Sequence, residues 1–383
     1  MAERKMRFCL VVTMTLVSFL WGCSAESEPV AQSPANLISE GRIYPPQVII
    51  EGIQWLDFSW ASIPLFFSNS KGYSGHLCGF RDDQDGVWCF GRTRTAFAER
   101  TERHAREVVK VLDGSWIRIA TSWRLSCAID DSNALFCWGD RSQLDEQETD
   151  DWDQESRAFP PMLWHDGHVE EVYLSMFSAK CFLDSNRLLS CEDFGSLDHD
   201  PAMDSALQWE SIELGGLHAC GLDVDSRVWC WGSDDPSALG VTSVTSQPVR
   251  VELGADAISL SAGSRQTCAV TAAYELYCWG EQYRQDGEYE VVAVPTQFFE
   301  QIDFLDVSVG LLHACALTLD KDIVCWGSNE AGALGHPDIA FSEYPVSLGI
   351  EQEWLALQSR AEGTCALADD GKLWCWGDLT SLD

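Results

Sequence analysis

A pair of cysteines that recurs at one spacing constrains this chain more than any other feature. In five close copies nine residues separate the two cysteines, and Trp-Gly follows the second, as in Cys315 to Gly327. Two looser copies begin at Cys78 and Cys181. From Cys78 to Cys365 the seven first cysteines span 287 residues in six steps. The mean period of about 48 is typical of a propeller or another repeat array.

Each unit is predicted to be a β-hairpin with its two cysteines opposite one another. Between Cys365 and Cys375 the turn signal Asp-Asp-Gly ends at Gly371. A three-residue loop with Gly371 in the left-handed conformation places the cysteines on directly opposed positions. Such positions lie about 4.5 to 5.5 Å apart at Cα, within reach of a disulfide. We therefore expect one bridge per hairpin, which would fix the register of its strands.

The cysteine count agrees with this pairing. Of sixteen cysteines, seven pairs leave only Cys9 and Cys23. Zinc or iron–sulfur binding is disfavoured because the chain has no close Cys-x-x-Cys pair, so neither a metal nor a cofactor is predicted. Disulfides in this number are typical of an oxidising compartment. The expected bridges are Cys78–Cys89, Cys127–Cys137, Cys181–Cys191, Cys220–Cys230, Cys268–Cys278, Cys315–Cys325 and Cys365–Cys375.

Residues 1–22 are predicted to be an export signal. Arg4, Lys5 and Arg7 precede an apolar segment that runs from Phe8 to Leu20. This combination is typical of a signal peptide, and the segment is too short to span a bilayer.

Cys23 is the predicted lipidation site and mature N-terminus. The tetrapeptide that ends at Cys23 resembles the lipobox of bacterial lipoproteins, although Trp21 replaces the usual small residue. The alternative is ordinary secretory cleavage near Ala25 with an unmodified Cys23. Both alternatives predict an extracytoplasmic protein, either in the bacterial cell envelope (outer membrane or periplasm) or secreted. Any membrane contact is expected only through the lipid.

A flexible linker is expected over residues 23–43, before a single repeat domain over residues 44–383. The segment from Tyr44 to Gly52 is similar to those that follow Trp-Gly in later units, such as Tyr344 to Gly349, and each is predicted to be a strand entered by proline. Only six residues follow the last Trp-Gly. We therefore expect Val48 to Glu51 to complete the last sheet and close a ring.

A further strand precedes each hairpin and begins with an aromatic residue. In four units this residue lies eleven positions before the first cysteine, at Trp116, Trp209, Phe304 and Trp354. A unit then contains an inner strand, the disulfide hairpin and an outer strand. Because one such sheet cannot bury both faces alone, neighbouring sheets must cover one another around an axis.

The repeat resembles that of the RCC1 (regulator of chromosome condensation) family. The resemblance lies in Gly-x-x-His-x-Cys-Ala-Leu, then Cys-Trp-Gly and Gly-x-Leu-Gly, as between Gly310 and Gly335. It implies an all-β fold, a seven-bladed β-propeller over residues 44–383. The third unit departs from the pattern after Cys191, and the first has ten residues between Cys78 and Cys89.

Histidines two residues before a first cysteine, at His76, His218 and His313, are interpreted as structural hydrogen-bonding groups because the ring separates them. The tryptophans of Cys-Trp-Gly are expected to pack between blades. Loops that differ between units are better binding candidates. The candidate residues are Trp60, Phe66, Phe67, Arg94, Arg100, Arg103 and Trp152. The acidic loop 145–155 is expected to be solvated, since its spacing matches no EF-hand-type calcium loop.

Charge excludes nucleic acid as a partner. The chain carries a formal charge of −35, and removal of residues 1–22 takes away three cations and one acid. Phosphate binding depends on Lys and Arg, so a chain this acidic would repel nucleic acid. The resemblance also implies the exchange-factor activity of the family's founder on a small GTPase. An exported member has no access to that GTPase, so this activity is given only as a further alternative.

The function expected from the sequence is non-catalytic binding of an unknown protein or cell-surface polymer by a monomer. No Gly-x-Ser-x-Gly, His-Glu-x-x-His or phosphate-binding glycine loop occurs in the sequence. No catalytic residue is therefore assigned. The alternative is a hydrolase built from loops on one face of the propeller.

Overall fold

A computed structural model of the protein describes residues 42–48, 53–61, 76–91, 105–122, 125–140, 158–175, 179–192, 207–216, 218–232, 236–241 and 245–378. These residues form β-strands and one 3₁₀ helix, Pro236–Leu239, and contain no α-helix. They belong to one compact unit. The predicted export signal, Cys23 and most of the predicted linker lie outside the described residues.

The strands are numbered in chain order. In the first half of the chain they are β1 (Arg42–Val48), β2 (Trp55–Ala61), β3 (His76–Arg81), β4 (Val87–Gly91), β5 (Ala105–Leu112), β6 (Trp116–Thr121), β7 (Leu125–Asp130), β8 (Leu135–Asp140), β9 (Ala158–His165), β10 (Val169–Leu174), β11 (Lys180–Asp184) and β12 (Leu189–Glu192). In the second half they are β13 (Trp209–Leu214), β14 (His218–Asp223), β15 (Val228–Gly232), β16 (Thr245–Val251), β17 (Ala257–Ala262), β18 (Gln266–Thr271), β19 (Leu276–Tyr283), β20 (Tyr289–Phe298), β21 (Phe304–Val309), β22 (His313–Thr318), β23 (Ile323–Ser328), β24 (Phe341–Ser347), β25 (Trp354–Arg360), β26 (Gly363–Ala368) and β27 (Leu373–Asp378).

Seven antiparallel sheets form the blades of a propeller, as the repeat predicts. Blades 1, 2, 4, 5 and 6 each consist of four consecutive strands, beginning with β2, β6, β13, β17 and β21. Blade 3 has three strands, β10 to β12, among the described residues. The first strand of each blade contacts the first strand of the next, and β25 of blade 7 returns to β2. These first strands therefore surround the axis of a closed ring.

The N-terminal strand completes blade 7, which confirms the predicted ring closure. β1 pairs antiparallel with β27, and the sheet order is β1-β27-β26-β25. The strand begins earlier than predicted: Arg42 lies opposite Asp378 and Val48 opposite Trp374, with an irregularity between Ile43 and Gln47. The rest of the predicted Val48 to Glu51 strand lies outside the described residues.

A disulfide crosses the hairpin of every blade, in the seven predicted pairs. The two cysteines are directly opposed in register, as for Cys365 and Cys375, and the Cα atoms of each pair are 4.1 Å apart. The first unit keeps this pairing despite its extra residue, with Cys78 opposite Cys89. Each sheet is thus locked in register at its centre.

Tight turns join the two strands of each hairpin. Gly371 has φ of 77°, the left-handed conformation predicted for it. Non-glycine residues adopt the same conformation in other blades, for example Lys321 and Tyr274. A polar side chain helps to form several of these turns: Asp223 Oδ1 accepts hydrogen bonds from the backbone N–H groups of Asp225 and Arg227, both 2.9 Å.

The core lies between the blades. The expected aromatic residue begins the inner strand in five blades and is buried in four of them, whereas Val169 and Ala257 begin the strands of blades 3 and 5. The tryptophans of the five Cys-Trp-Gly motifs are also buried: Trp138, Trp231, Trp279, Trp326 and Trp376. Two of these tryptophans reach the preceding blade, where Trp279 Nε1 donates to the Ala238 carbonyl (3.0 Å) and Trp376 Nε1 to the Ala333 carbonyl (2.9 Å). The prediction that they pack between blades is confirmed.

Candidate functional site

The propeller has two faces, which we name by what lies on them. The turn face carries the hairpin turns and the starts of the inner strands, because Trp354 at the start of β25 pairs with Ala368 at the turn. The loop face carries the opposite strand ends, where the inner strand connects to the hairpin and the hairpin to the outer strand.

The predicted binding residues cluster in segments that begin and end on the loop face. Trp60 belongs to β2, near the loop face, and its side chain is not described. The other six predicted residues, Phe66, Phe67, Arg94, Arg100, Arg103 and Trp152, lie outside the described residues. They remain predictions.

The three repeated histidines are buried and join neighbouring blades. Nε2 of His76, His218 and His313 lies 2.6, 2.8 and 2.9 Å from the hydroxyl oxygens of Ser126, Thr267 and Thr364 respectively. Burial lowers the pKa of His76 to about 3 and the pKa of His218 and His313 to about 4, so all three rings are neutral at physiological pH. Their geometry supports the structural interpretation.

The Gly-x-x-His spacing has a steric cause. A Cβ atom at Gly310 would collide with the ring of His313, and one at Gly215 would collide with the ring of His218. Glycine therefore makes room for the imidazole to turn toward the next blade.

A second set of contacts between blades lies on the turn face. The carbonyl of the left-handed turn residue accepts a hydrogen bond from the first residue of the next inner strand, at 2.7 to 3.3 Å, in six of the seven junctions. Gly371 accepts from Trp55 in this way across the closure of the ring, at 2.7 Å. These bonds hold the turn and the neighbouring strand start together.

A third set joins the inner strands close to the axis. Ser59, Ser261 and Ser308 accept hydrogen bonds from the backbone N–H groups of Thr121, Val309 and Ser359 in the following blade, at 3.1, 3.1 and 2.7 Å. The hydroxyls are buried, so these contacts satisfy N–H groups that water does not reach.

In blade 4 a glutamate occupies the position of these serines. Glu213 accepts a hydrogen bond from the Ala262 backbone N–H, the same relation that Ser261 has with Val309. Burial raises the pKa of Glu213 to about 7, Arg360 opposes the rise, and Asp306 adds to it. The sequence does not single out this carboxyl, because its environment exists only once the ring has closed.

An arc of aliphatic side chains is exposed on the turn face. The second residue of the inner strand is aliphatic in five consecutive blades, from blade 5 through blade 7 to blades 1 and 2. Four of these side chains have exposed fractions between 38% and 54%, and Leu305 is half-buried. We name the five residues the apolar arc: Ile258, Leu305, Leu355, Leu56 and Ile117.

The turns beside the apolar arc add further apolar side chains. Val224, Tyr274 and Leu319 lie in the hairpin turns of blades 4, 5 and 6 and are exposed. In blades 3 and 4 the position of the arc residue is instead Glu170 and Glu210. The arc therefore spans one side of the face and ends at acidic residues.

Carboxylates surround the apolar arc. Every blade has at least one exposed aspartate or glutamate on the turn face within the described residues: Asp82, Asp83, Asp85, Asp113, Asp131, Asp166, Asp225, Asp256, Asp303, Asp320, Glu353 and Asp369. Several cations of this face already contact carboxylates: Arg118 Nε lies 2.9 Å from Glu171, and Arg227 Nη1 lies 2.8 Å from Asp225. Acidic groups are thus in excess.

Among the described residues no group of three or more His, Cys, Asp or Glu side chains has the arrangement of a metal site. None of the described residues belongs to a helix that could span a membrane.

Comparison with solved structures identifies the architecture. Human WBSCR16 superposes with a TM-score of 0.64 at 16% identity, covering 84% of this chain and 86% of that one. Prp20p from Saccharomyces cerevisiae gives 0.63 at 14% identity, over 92% and 96% of the two chains. The receptor kinase CR4 ectodomain from Physcomitrella patens gives 0.53 at 17% identity, over 85% and 74%. At these identities the likeness shows the fold.

Comparison of sequences agrees. Residues 304–333 match the profile of the Regulator of chromosome condensation (RCC1) repeat. The E3 ubiquitin-protein ligase HERC2 of Homo sapiens is 28% identical over 176 residues, which cover 44% of this chain and 3% of HERC2; the protein of Mus musculus gives the same values. The chain thus spans a small part of the length of these relatives.

The fold and the contacts between its blades define a seven-bladed, disulfide-linked β-propeller. Residues 304–333 carry an RCC1 repeat, and the whole propeller is similar in fold to the solved RCC1 propellers.

Proposed function

We propose that this protein is an exported RCC1-repeat propeller that binds a protein or surface polymer without catalysing a reaction. The observation that carries the proposal is the apolar arc, because aliphatic side chains clustered on an otherwise polar face mark an interaction surface. The arc lies on a ring held by disulfides and by hydrogen bonds between blades, so its shape exists before a partner arrives.

An oxidising compartment is indicated by the seven disulfides. A cytosolic protein would be kept reduced, and bridges buried in every blade suit a chain that folds after export. The charged and apolar pattern of residues 1–22 agrees, as does Cys23 at its end. We assign the protein to a bacterial cell envelope, with a lipid on Cys23. The CR4 structure is described as an ectodomain, so the fold has a relative outside a cell.

Binding also agrees with what similar structures are described as doing. Prp20p binds Gsp1p and histones, and yeast RCC1 has been solved bound to Kap60. Those partners belong to those proteins. For this chain we propose only that one face of the propeller binds another macromolecule.

Mass analysis of the mature N-terminus tests the location. We expect the chain expressed from its full gene to begin at Cys23 carrying lipid, and a Cys23→Ser variant to leave the membrane fraction. A chain that retains Met1 and stays in the cytosol would overturn the exported assignment. Cleavage near Ala25 would retain export and remove only the lipid.

Crosslinking in envelope extracts tests binding. We expect the native chain to capture one defined partner, and the fully reduced and alkylated chain to capture none. A triple charge reversal of Arg94, Arg100 and Arg103 tests whether the loop face contributes. The absence of any saturable partner, together with turnover in a screen of glycan and ester substrates, would favour the hydrolase alternative instead.

A further inference from the structure

We propose that the turn face is a docking surface for a protein segment that presents aliphatic side chains flanked by lysine and arginine. The inference rests on the proposed binding function and adds the face and the chemistry of the partner. It differs from the prediction made from the sequence, which placed binding on loops that differ between units and assigned no face.

The apolar arc is continuous around the axis. Neighbouring inner strands contact each other at the junctions of blades 5, 6, 7, 1 and 2, so their second residues follow one another without an intervening blade. The side chains of Leu56 and Leu355, in adjacent blades, are exposed by 51% and 54%. Covering such a patch removes aliphatic surface from water, which favours association.

The arc is exposed because of the backbone beneath it. In the inner strand the register shifts between the first and third residues, for example between Trp354 and Ala356. The second residue is therefore the extra residue of a bulge. It is exposed in four of the five blades, while Leu305 is partly buried against the core. The turn carbonyl of Lys321 accepts the N–H of Trp354 (3.3 Å) and holds the bulge in place.

Charge selects the partner. Exposed carboxylates lie on the turn face of every blade. Cations such as Arg118 and Arg227 already contact acidic groups, so negative charge is in excess on this face. A segment with lysine or arginine beside its apolar residues would meet complementary potential, which speeds encounter and excludes acidic competitors. A second copy of this chain would bring another acidic face and is disfavoured for that reason.

Glu170 and Glu210 mark where the cationic end of the segment would lie. They replace the aliphatic residue in blades 3 and 4 and so close the arc at both ends. Arg187 Nε lies 3.4 Å from Glu170, so the exposed Glu210 is the carboxylate of this pair that is more open to the segment. The surface thus has an aliphatic side and an acidic side, which fixes the direction of a bound amphipathic segment.

The test uses the mature chain with its disulfides intact and three labelled helical peptides of about 18 residues. One is built from leucine and lysine, one from serine and lysine with equal charge, and one from leucine and glutamate. Fluorescence anisotropy is measured at low and at high salt. We expect the leucine–lysine peptide to bind about tenfold more tightly than the serine–lysine peptide, and the leucine–glutamate peptide not to bind.

Variants locate the site. Leu56→Ser combined with Leu355→Ser should weaken the leucine–lysine peptide about tenfold. The matched control is Met162→Ser with Leu163→Ser on the outer strand β9, where exposures of 46% and 51% are similar, and it should change nothing. All four residues are exposed, and equal denaturation midpoints would show that the variants fold.

Two results would overturn the proposal. One is unchanged binding by the arc variant, and the other is equal affinity for the leucine–lysine and serine–lysine peptides, which would show binding by charge alone. Either result leaves the proposed function standing if the native chain still captures its envelope partner. Loss of that capture on reversal of Arg94, Arg100 and Arg103 would then assign binding to the loop face.

Discussion

Individual side-chain contacts join one blade to the next, and three of them are hydrogen bonds between a histidine ring and a hydroxyl group. A histidine two positions before the first cysteine occurs in units 1, 4 and 6, and a serine or threonine one position before it occurs in units 2, 5 and 7. Each histidine bonds to the hydroxyl of the following unit. Both residues of each pair occupy a fixed position in the repeat and can be recognised in the sequence. Their contact can be known only from the order of the blades around the ring.

The pair of His218 and Thr267 predicts a measurable coupling. The Thr267 hydroxyl donates to the Ala238 carbonyl (3.1 Å), so His218 Nε2 carries the proton and donates to Thr267. In a double-mutant cycle of His218→Leu and Thr267→Val, each single change should lower the free energy of unfolding, with a coupling of about 1 kcal/mol. Guanidinium denaturation measures it. The control cycle of His218→Leu with Thr364→Val should be additive, and additivity in both cycles would refute the contact.

Glu213 predicts a pH effect. Because burial raises its pKa to about 7 from 4.5, the folded state binds more protons than the unfolded state between these values. The stability that this group contributes is therefore lost as pH rises through 7. Glu213→Gln removes the charge and should be more stable than the native chain at pH 8, and this advantage should shrink steadily as pH falls from 7 toward 5. Denaturation midpoints at both pH values measure this. A variant that is less stable at pH 8 would contradict it, and exposed Glu300→Gln should match the native chain.

At the scale of strands, the outer strand of blade 7 comes from the other end of the described chain. Its existence could be predicted, because the segment near Tyr44 resembles the outer strands of other units. Its register could not, since the pairing with β27 is irregular between Ile43 and Gln47. An irregularity of this kind has no signature in a pattern of apolar residues.

Removal of β1 should open the ring. Without residues 24–52 the edge of β27 is unpaired, and we expect the thermal midpoint to fall by about 5 °C or more. Removal of residues 24–41 alone keeps β1 and should have no effect. Calorimetry measures both variants, and hydrogen exchange should show faster exchange at Trp374 and Cys375 only in the larger deletion. Equal midpoints would mean that β1 does not stabilise the blade.

The apolar arc shows why the candidate site was missed in the sequence. The aromatic start, such as Trp354, predicts the strand, and simple alternation then assigns a face to every later residue. The shift after Trp354 takes Leu355 out of that alternation and exposes it. Disulfides and repeats could be predicted because they depend on spacing along the chain. The arc depends on bulges that recur in different blades and on the order in which the ring joins them.

For the whole molecule, the excess of acidic groups limits stability at low salt. The chain has 60 acidic and 25 basic residues, and many of the described ion pairs are exposed and contribute little. Carboxylates on all seven blades of the turn face repel one another. The Debye length is about 30 Å at 0.01 M salt and about 3 Å at 1 M. Added salt therefore weakens the repulsion between carboxylates of different blades more than it weakens ion pairs in direct contact.

We therefore expect the thermal midpoint of the native chain to rise by about 5 °C when sodium chloride is raised from about 0.01 M to about 0.5 M. Asp320→Asn with Asp369→Asn, on the turns of two adjacent blades, should raise the midpoint at low salt and reduce its dependence on salt. Asn substitutions of Asp286 and Glu288, in the exposed segment between β19 and β20 of blade 5, serve as the control with the same change in net charge. If both pairs act equally, net charge alone sets the effect. If only the Asp320→Asn and Asp369→Asn pair raises the midpoint, repulsion between carboxylates on the turn face sets the effect. A cationic partner would then relieve the same repulsion when it binds.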